Sequence, residues 1–303
     1  MQGQWFFPWA SQPRVLNCDW GWYLMELNNA SYGAWWAGEA LRQLAANDDD
    51  GLFADSLSVP SYLGAEQYSP HLPDVDAAFE SAWANRIRDW MAYVKSRFGS
   101  RYALIPNVGA WVTTRDPTDY SGADGVMIEG FGEWSAGNPY DLGDWQLQMD
   151  RILSLTRLGK IIIAQPYTDG SVADRMFLLA GYLLVKGTHS FINLELDTDP
   201  EWWPEYEIPI GGYTGGIPAS VSALYDSASG VYRRAYGNGL VLVNPGPSAH
   251  TVALGRTYYR ATPIGGGFVP PSGSTTGWRV DYAAVTSVTL AAGQGAILLN
   301  NRP

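Results

Sequence analysis

The sequence predicts an α/β fold: a (β/α)8 TIM-type barrel, which we expect to lack its first strands, followed by an all-β sandwich domain. Short apolar runs bounded by Gly or Asp alternate with helical patterns, which is typical of βα units in a parallel sheet. These runs are continuously apolar, which indicates strands buried on both faces. Beyond Gly211 the helical period disappears and short alternating strands take its place, which predicts the second domain.

Strands and helices alternate in order within residues 1–218, the predicted barrel domain. Asn28 or Asn29 can cap the first helix, and Gly99 and Gly159 end the second and third. The predicted strands are Arg14–Asp19, Gly51–Ser56, Tyr102–Asn107, Asp124–Gly130, Lys160–Ala164 and Ser190–Leu194. The first predicted helix runs from its asparagine cap to about Ala46, and the others are Asp76–Phe98, Asp144–Leu158 and Val172–Val185.

This count gives six strands, whereas a closed barrel has eight. Either two strands escape the pattern, or the chain starts inside a barrel whose first strands lie upstream, and we favour the second explanation. Residues 219–303 form the predicted β-sandwich domain, built from hairpins. Its predicted strands are Val231–Tyr236, Gly239–Asn244, His250–Leu254, Val285–Leu290 and Gly295–Asn300.

Charge and composition argue against several kinds of partner. The formal net charge of −11 disfavours nucleic acid and an anionic membrane surface, both of which attract Lys and Arg. No apolar run approaches the roughly 18–20 residues that span a bilayer. The single cysteine, Cys18, cannot form a disulfide within the chain. The 14 Trp and 18 Tyr residues suit a carbohydrate substrate, because flat rings pack against sugar faces, although most are expected in the core.

Two carboxylates stand where an apolar run stops. Asp55 ends the sequence Gly-Leu-Phe-Ala-Asp, and Glu129 ends Asp-Gly-Val-Met-Ile-Glu. The chemistry of a parallel α/β barrel lies at the carboxyl ends of its strands, because the βα loops open there. Two carboxylates at one mouth are the minimum for hydrolysing a glycosidic bond. The sequence therefore predicts a glycoside hydrolase. The alternative is that either carboxylate caps the following helix or holds a loop.

The order of these motifs resembles a known family. A Trp-rich segment precedes the Asp55 motif, and the Glu129 strand and Glu201–Pro204 follow it. A hairpin reading Tyr-Arg-Arg-Ala-Tyr-Gly-Asn-Gly-Leu-Val-Leu-Val-Asn-Pro comes last. This order resembles the TIM-barrel glycoside hydrolases of the hypothetical glycosyl-hydrolase-like group fifteen, and more distantly the α-galactosidase-type barrels. The resemblance extends from about Val15 to Asn300.

The resemblance implies roles for the two carboxylates. The nucleophile of such barrels ends strand four and the acid/base ends strand six, which implies Asp55 and Glu129 if Arg14 starts strand three. We expect Asp55 to be ionised, and Glu129 to be kept protonated by apolar neighbours and by the charge of Asp55. The α-galactosidase-type pattern has Asp where this chain has Glu129. Retaining or inverting stereochemistry therefore cannot be carried over.

Other polar and aromatic residues at strand ends or in loops are expected to bind the sugar. Amide, phenol and carboxylate groups suit sugar hydroxyls, and Trp rings suit stacking on sugar faces. A structural role is the alternative for each of them. We interpret Glu133 as a solvated loop charge. The expected substrate-binding residues are Asn107, Trp134, Gln165, Tyr167, Glu195, Asp197, Trp202 and Trp203.

No metal or cofactor is predicted. His71, His189 and His250 fall in no metal-ligand spacing, and there is no Gly-x-Ser-x-Gly elbow. Met1–Ala10 does not resemble a signal peptide. A secreted or cell-surface location is expected all the same, and this expectation rests on polysaccharide chemistry alone. A rival interpretation from another class is a carbohydrate-binding or catalytically inactive barrel. The sequence makes no prediction about oligomeric state.

Overall fold

Contacts between residues divide the chain into two compact units. The structure is a computed structural model, and it describes residues 3–195 and 199–303. The first unit is Met1–Met127 and the second is Ile128–Pro303. Both units combine helices with strands, so the predicted mixed α/β class is confirmed. The division into domains of residues 1–218 and 219–303 stays a prediction.

The helices of the first unit begin at capping residues. α1, Ala30–Asn47, follows Asn29, whose side chain accepts hydrogen bonds from two backbone N–H groups of the first turn. α2, Ala77–Phe98, follows Asp76, which caps its helix in the same way. Both helices lie within two residues of their predicted bounds. The apolar stripe predicted on α2 is buried and comprises Phe79, Trp83, Ile87, Trp90, Met91 and Val94.

The short strands of the first unit pair in two different ways. They are β1 (Leu16–Asn17), β2 (Gly51–Ala54), β3 (Tyr68–Ser69) and β4 (Ala103–Pro106), while β5 (Gly125–Glu129) continues into the second unit. β2 and β4 pair in parallel and α2 lies between them in the chain, which confirms the predicted βα arrangement here. A Cβ at Gly51 would lie 2.7 Å from the Cβ of Ala103, so the close approach of β2 and β4 requires glycine.

The first strand is shorter than the predicted range Arg14–Asp19, and it does not pair in parallel as the prediction requires. β1 has two residues and pairs antiparallel with β3. The side chain of Asn17 accepts hydrogen bonds of 3.1 and 3.0 Å from the backbone N–H groups two and three residues later. This Asx-type turn ends the strand, because it redirects the chain immediately after Asn17.

The second unit continues the alternation of strands and helices. Its first elements are β6 (Glu133–Ser135), β7 (Asn138–Pro139), α3 (Leu142–Arg157), β8 (Ile161–Gln165), α4 (Val172–Val185), β9 (Ser190–Ile192) and β10 (Glu201–Trp202). β5, β8 and β9 form one sheet in that order, and β8 pairs with β9 in parallel. The helices agree with prediction within two residues. Throughout the described ranges, no helix combines the length and the apolarity that crossing a membrane requires.

The rest of the second unit is dominated by an antiparallel sheet. Its strands are β11 (Tyr225–Asp226), β12 (Val231–Tyr236), β13 (Gly239–Asn244), β14 (His250–Ile264), β15 (Gly267–Phe268), β16 (Arg279–Leu290) and β17 (Gln294–Leu299). Six of them form one sheet in the order β11-β12-β13-β17-β14-β16, and β15 pairs with β10. The predicted hairpin strands are confirmed, although β14 and β16 extend beyond their predicted bounds around an irregularity between Ala253 and Tyr258. Their arrangement as a sandwich stays a prediction.

Arg234 on β12 binds the carboxyl end of α4. Its Nη1 donates hydrogen bonds of 3.1, 3.0 and 2.8 Å to the carbonyls of Leu183, Leu184 and Lys186. The ring of Tyr213 lies 4.3 Å from the guanidinium carbon. A buried cation thus partners carbonyl groups that the end of a helix leaves unpaired, and it also suits the negative end of the helix dipole.

We predict that Arg234→Met lowers the free energy of unfolding by about 2–3 kcal/mol, because the carbonyls of α4 lose a charged donor. Arg233→Met is the matched control. Arg233 is the neighbouring residue of β12, half-exposed and paired with Asp226 at the surface, so its loss should cost less than about 1 kcal/mol. Chemical denaturation measures both changes, and equal losses in the two variants would contradict the capping role.

Candidate active site

Asp55 lies directly beyond β2, where two neutral donors hold it. Because β4 runs parallel to β2, Asn107 follows β4 at the same level as Asp55 follows β2. The Nδ2 of Asn107 and the backbone N–H of Ser56 each donate a 2.9 Å hydrogen bond to Oδ1 of Asp55. Asn107 is buried, and its Oδ1 accepts a bond from the N–H of Gly109. These bonds orient the exposed carboxylate of Asp55 without cancelling its charge.

Glu129, the last residue of β5, lies in direct contact with Tyr167. Tyr167 stands two residues beyond the end of β8, and its hydroxyl donates a hydrogen bond to Oε1 of Glu129. The backbone N–H of Gly130 donates a 2.8 Å bond to the carbonyl of Gln165, which holds the ends of β5 and β8 together. Both Glu129 and Tyr167 are partly exposed. The structure therefore brings together two of the residues predicted from the sequence.

The backbone just after Glu129 is fixed by Gln148 of α3. Gln148 is buried; its Oε1 accepts a 2.9 Å bond from the N–H of Gly132, and its Nε2 donates a 3.1 Å bond to the carbonyl of Gly130. The hydroxyl of Tyr140 donates to the same carbonyl. These side-chain bonds take over from the β-ladder where β5 ends, so they set the direction in which the chain leaves Glu129.

Asn193 connects Gln165 with Glu195. Gln165 is the buried last residue of β8, and Nδ2 of Asn193 lies 3.5 Å from its Oε1. The same Nδ2 donates to the backbone carbonyl of Glu195. The backbone N–H of Glu195 in turn donates a 3.1 Å bond to Oε1 of Glu201. Asp197 lies outside the described residues, so its role stays a prediction.

The three tryptophans predicted to stack on sugar differ in exposure. Trp134 is 46% exposed and Trp202 is 37% exposed, so a ligand can reach both rings. Each is held edge-on by a tyrosine, with ring centroids 4.9 Å apart for Trp134 and Tyr140 and 5.6 Å apart for Trp202 and Tyr206. Trp203 is buried. The guanidinium of Arg175 lies 4.5 Å from its ring centroid and covers it, so a role in substrate binding stays a prediction there.

Glu133 is fully buried, so its interpretation as a solvated loop charge is wrong. It begins β6, and the backbone N–H of Gly137 donates a 3.1 Å bond to its Oε2. Burial, together with the nearby charge of Asp174, raises the pKa of Glu133 to about 9. Glu133 was misread because its surroundings include Asp174, some forty positions later in the chain, which no local pattern reveals.

A family model matches most of the chain. The model of hypothetical glycosyl hydrolase family 15 matches residues 2–240. The chain belongs to this family. Membership confirms the resemblance that the order of motifs indicated, and it covers the segments that carry both predicted catalytic carboxyls. A search of curated proteins found no match.

Several solved structures resemble this member of the family at low identity. The glycoside hydrolase domain of PelA from Pseudomonas aeruginosa is 19% identical over 57% of this chain, with a TM-score of 0.39; the match covers 63% of that domain, less than two thirds. A maltogenic alpha-amylase, AmyB, from Thermotoga neapolitana is 13% identical over 98% of this chain and 72% of its own, with a TM-score of 0.39. The GH51 arabinofuranosidase from Xanthomonas axonopodis pv. citri is 12% identical over 90% and 73%, with a TM-score of 0.30. At these TM-scores the likenesses assign neither a fold nor an activity.

Sequence reasoning missed Gln148 and Asn193, although both carry a signal. Gln148 lies among Trp145, Met149 and Ile152 on the buried stripe of α3, and a polar residue at a core position of an amphipathic helix indicates a buried hydrogen bond. Asn193 directly follows an apolar strand, as Asn107 does. The strand-end criterion therefore applied to Asn193 as well.

We predict that Gln148→Met lowers the free energy of unfolding by about 1–3 kcal/mol, because it leaves the N–H of Gly132 buried and unpaired. At equal pH, mass spectrometry should show faster amide exchange in the segment 130–133 of the variant. Gln43→Met, an exposed position on α1, should change the stability by less than about 0.5 kcal/mol. Unchanged protection of that segment in Gln148→Met would contradict the role assigned to Gln148.

Proposed function

We propose that this chain is an O-glycoside hydrolase that acts on a poly- or oligosaccharide, with Asp55 and Glu129 as its catalytic carboxyls. The observation that carries the proposal is the way each carboxyl is held. Asp55 follows a parallel strand and Glu129 ends a strand, and each accepts a hydrogen bond from a neutral side chain at the end of the neighbouring strand, Asn107 or Tyr167. Neutral donors orient a carboxyl for reaction, whereas an arginine or lysine would have tied it into an ion pair. Membership of a glycosyl hydrolase family supports the same reaction class.

The proposed mechanism assigns a separate task to each carboxyl. The ionised Asp55 attacks the anomeric carbon or stabilises its positive charge, and Glu129 protonates the departing oxygen. Both bonds to Asp55 go to Oδ1, so we assign the contact with the sugar to Oδ2. The hydroxyl of Tyr167 donates to Oε1 of Glu129, so we assign to Tyr167 the orientation of the carboxyl that transfers the proton.

We assign substrate binding to polar and aromatic residues predicted from the sequence. The exposed rings of Trp134 and Trp202 offer stacking surfaces for sugar rings. Gln165 and Glu195, which Asn193 connects, offer groups that can bind hydroxyls. No cofactor or metal enters the proposal.

The same proposal includes the architecture expected from the sequence. The parallel pairs β2–β4 and β8–β9, each with a helix between its strands, support a (β/α) barrel. The antiparallel sheet from β11 to β17 supports an accessory β domain, the predicted sandwich. A secreted or cell-surface location remains part of the proposal, because polysaccharides are too large to reach most intracellular enzymes.

Release of reducing sugar from a panel of neutral, acidic and amino-sugar polysaccharides tests the proposal. We predict activity with the native chain and a loss of about 100-fold or more in both Asp55→Asn and Glu129→Gln. Asp50→Asn is the matched control. Asp50 is an exposed carboxylate at the opposite end of β2 from Asp55, so this variant should keep its activity.

Two other outcomes of this experiment would contradict the proposal. Activity that survives in both carboxyl variants would move the chemistry elsewhere, with Glu195 and Asp197 the next candidates. Sugar binding without release from any substrate would favour the rival class, a carbohydrate-binding or catalytically inactive barrel. Equal melting temperatures of the four proteins are needed to show that lost activity reflects chemistry and not unfolding.

A further inference from the structure

The segments that carry Glu129 and Tyr167 meet at a second point, where Glu133 faces Asp174. Glu133 follows Glu129 by four residues, and Asp174 lies in the first turn of α4, seven residues after Tyr167. Asp174 holds its own segment, because its Oδ2 accepts bonds of 2.7 Å from the hydroxyl of Thr168 and 3.0 Å from the N–H of Asp169. An attractive contact between Glu133 and Asp174 therefore holds together the segments that carry Glu129 and Tyr167.

The contact between the two carboxyls calls for a proton. Burial leaves Oε1 of Glu133 with no N–H or O–H donor, although its side chain contacts that of Asp174. Two ionised carboxylates in contact repel each other, the more so because Glu133 is buried, and a proton on one of them converts the contact into a hydrogen bond. Burial is the main cause that raises the pKa of both groups, and the hydrogen bond between them raises that of Glu133 and lowers that of Asp174. These opposite effects favour Glu133 as the residue that carries the proton and donates it in a hydrogen bond to Asp174.

The carboxylates near Glu133 reinforce this assignment, whereas the backbone N–H that bonds to it acts in the opposite direction with a smaller effect on its pKa. Asp174 faces it from α4, Asp169 from the segment before α4, and the N–H of Gly137 from the hairpin of β6 and β7. Arg175, the neighbour of Asp174, does not supply a balancing charge, because its Nε forms a buried 2.7 Å ion pair with Glu205. A shared metal ion is not indicated either. Within the ranges that the structure describes, no three His, Cys, Asp or Glu side chains are arranged to hold one.

We propose that Glu133 and Asp174 share one proton. Their contact holds the segment carrying Glu129 against the segment carrying Tyr167, and it does so in a pH-dependent way. Both residues are positioning residues, since neither is assigned contact with substrate. The pH sensitivity of the contact is electrostatic, because removing the proton places two negative charges in contact, with Asp169 as a third nearby. The predicted effect on hydrolysis rests on the proposed function, whereas the effects on stability and on segment mobility do not.

The sign of the pH dependence follows from the raised pKa of Glu133. The stabilising contribution of its proton is complete below the ordinary pKa of glutamate and is lost as the pH rises to about 9. Glu133→Gln keeps a neutral donor in the same place but cannot ionise. The melting temperature of the native chain should therefore fall relative to that of Glu133→Gln, by about 5 °C or more between pH 6 and pH 9.

Melting curves from pH 5 to pH 10 for the native chain and three variants test the proposal. Asp174→Asn removes the neighbouring charge and should weaken the pH dependence. Asp169→Asn is the comparison variant: it removes the more weakly acting of the two neighbouring charges, so it should weaken the pH dependence less than Asp174→Asn does. At pH 9, amide exchange in segments 130–140 and 166–174 should be several-fold faster in the native chain than in Glu133→Gln.

Parallel melting curves for the native chain and Glu133→Gln would overturn the proposal, because they would mean that Glu133 is ionised at neutral pH. If Glu133→Gln fails to fold, carbon-13 NMR of side-chain carboxyls in the native chain decides instead. A glutamate carboxyl titrating near pH 9 supports the proposal, and titration of every glutamate below pH 6 overturns it. Absence of hydrolysis on any substrate would count against the proposed function and leave these measurements unaffected.

Discussion

Parallel strand pairing is the constraint on which the candidate site depends. A parallel pair places the residues that follow both strands side by side, so a carboxyl beyond one strand meets whatever follows the other. Asp55 meets Asn107 beyond β2 and β4 for this reason. The strands themselves are apolar and closely packed, and this packing stabilises the pair while polar side chains occupy its end. Gly51, where a Cβ would collide with Ala103, shows how close that packing is in the first unit.

Two kinds of carboxyl result from this arrangement, and their partners distinguish them. Asp55 is exposed and Glu129 is partly exposed, and each accepts a hydrogen bond from a neutral side chain, which suits the reacting role that we propose for them. Glu133 is buried beside Asp174, which raises its pKa and suits the positioning role that we propose for it and not a reacting one. Arg175 and Glu205, by contrast, cancel each other in a buried ion pair. Burial and the charge of the partner, and not residue type, separate these roles.

Local patterns predicted the elements well, because capping and hydrophobic period act within one turn of chain. Asn29 and Asp76 begin their helices as expected, and β12 and β13 have their predicted bounds. The prediction was wrong where a side chain redirects the backbone, as Asn17 does, and where burial depends on distant segments, as for Glu133. The contact of Tyr167 with Glu129 was outside the reach of the sequence, since it required knowing that β5 and β8 are neighbours.

The central claim, that Glu129 protonates the leaving group while Asp55 acts on the sugar, is tested most directly with two glycosides of the same sugar. One has a dinitrophenyl leaving group, which departs as a stable phenolate without a proton. The other has a second sugar as its leaving group, whose oxygen needs a proton in order to depart. We predict that Glu129→Gln retains most activity on the first and loses about 100-fold or more on the second, whereas Asp55→Asn loses activity on both. Equal losses of Glu129→Gln on the two substrates, or the reverse pattern between the variants, would contradict the account.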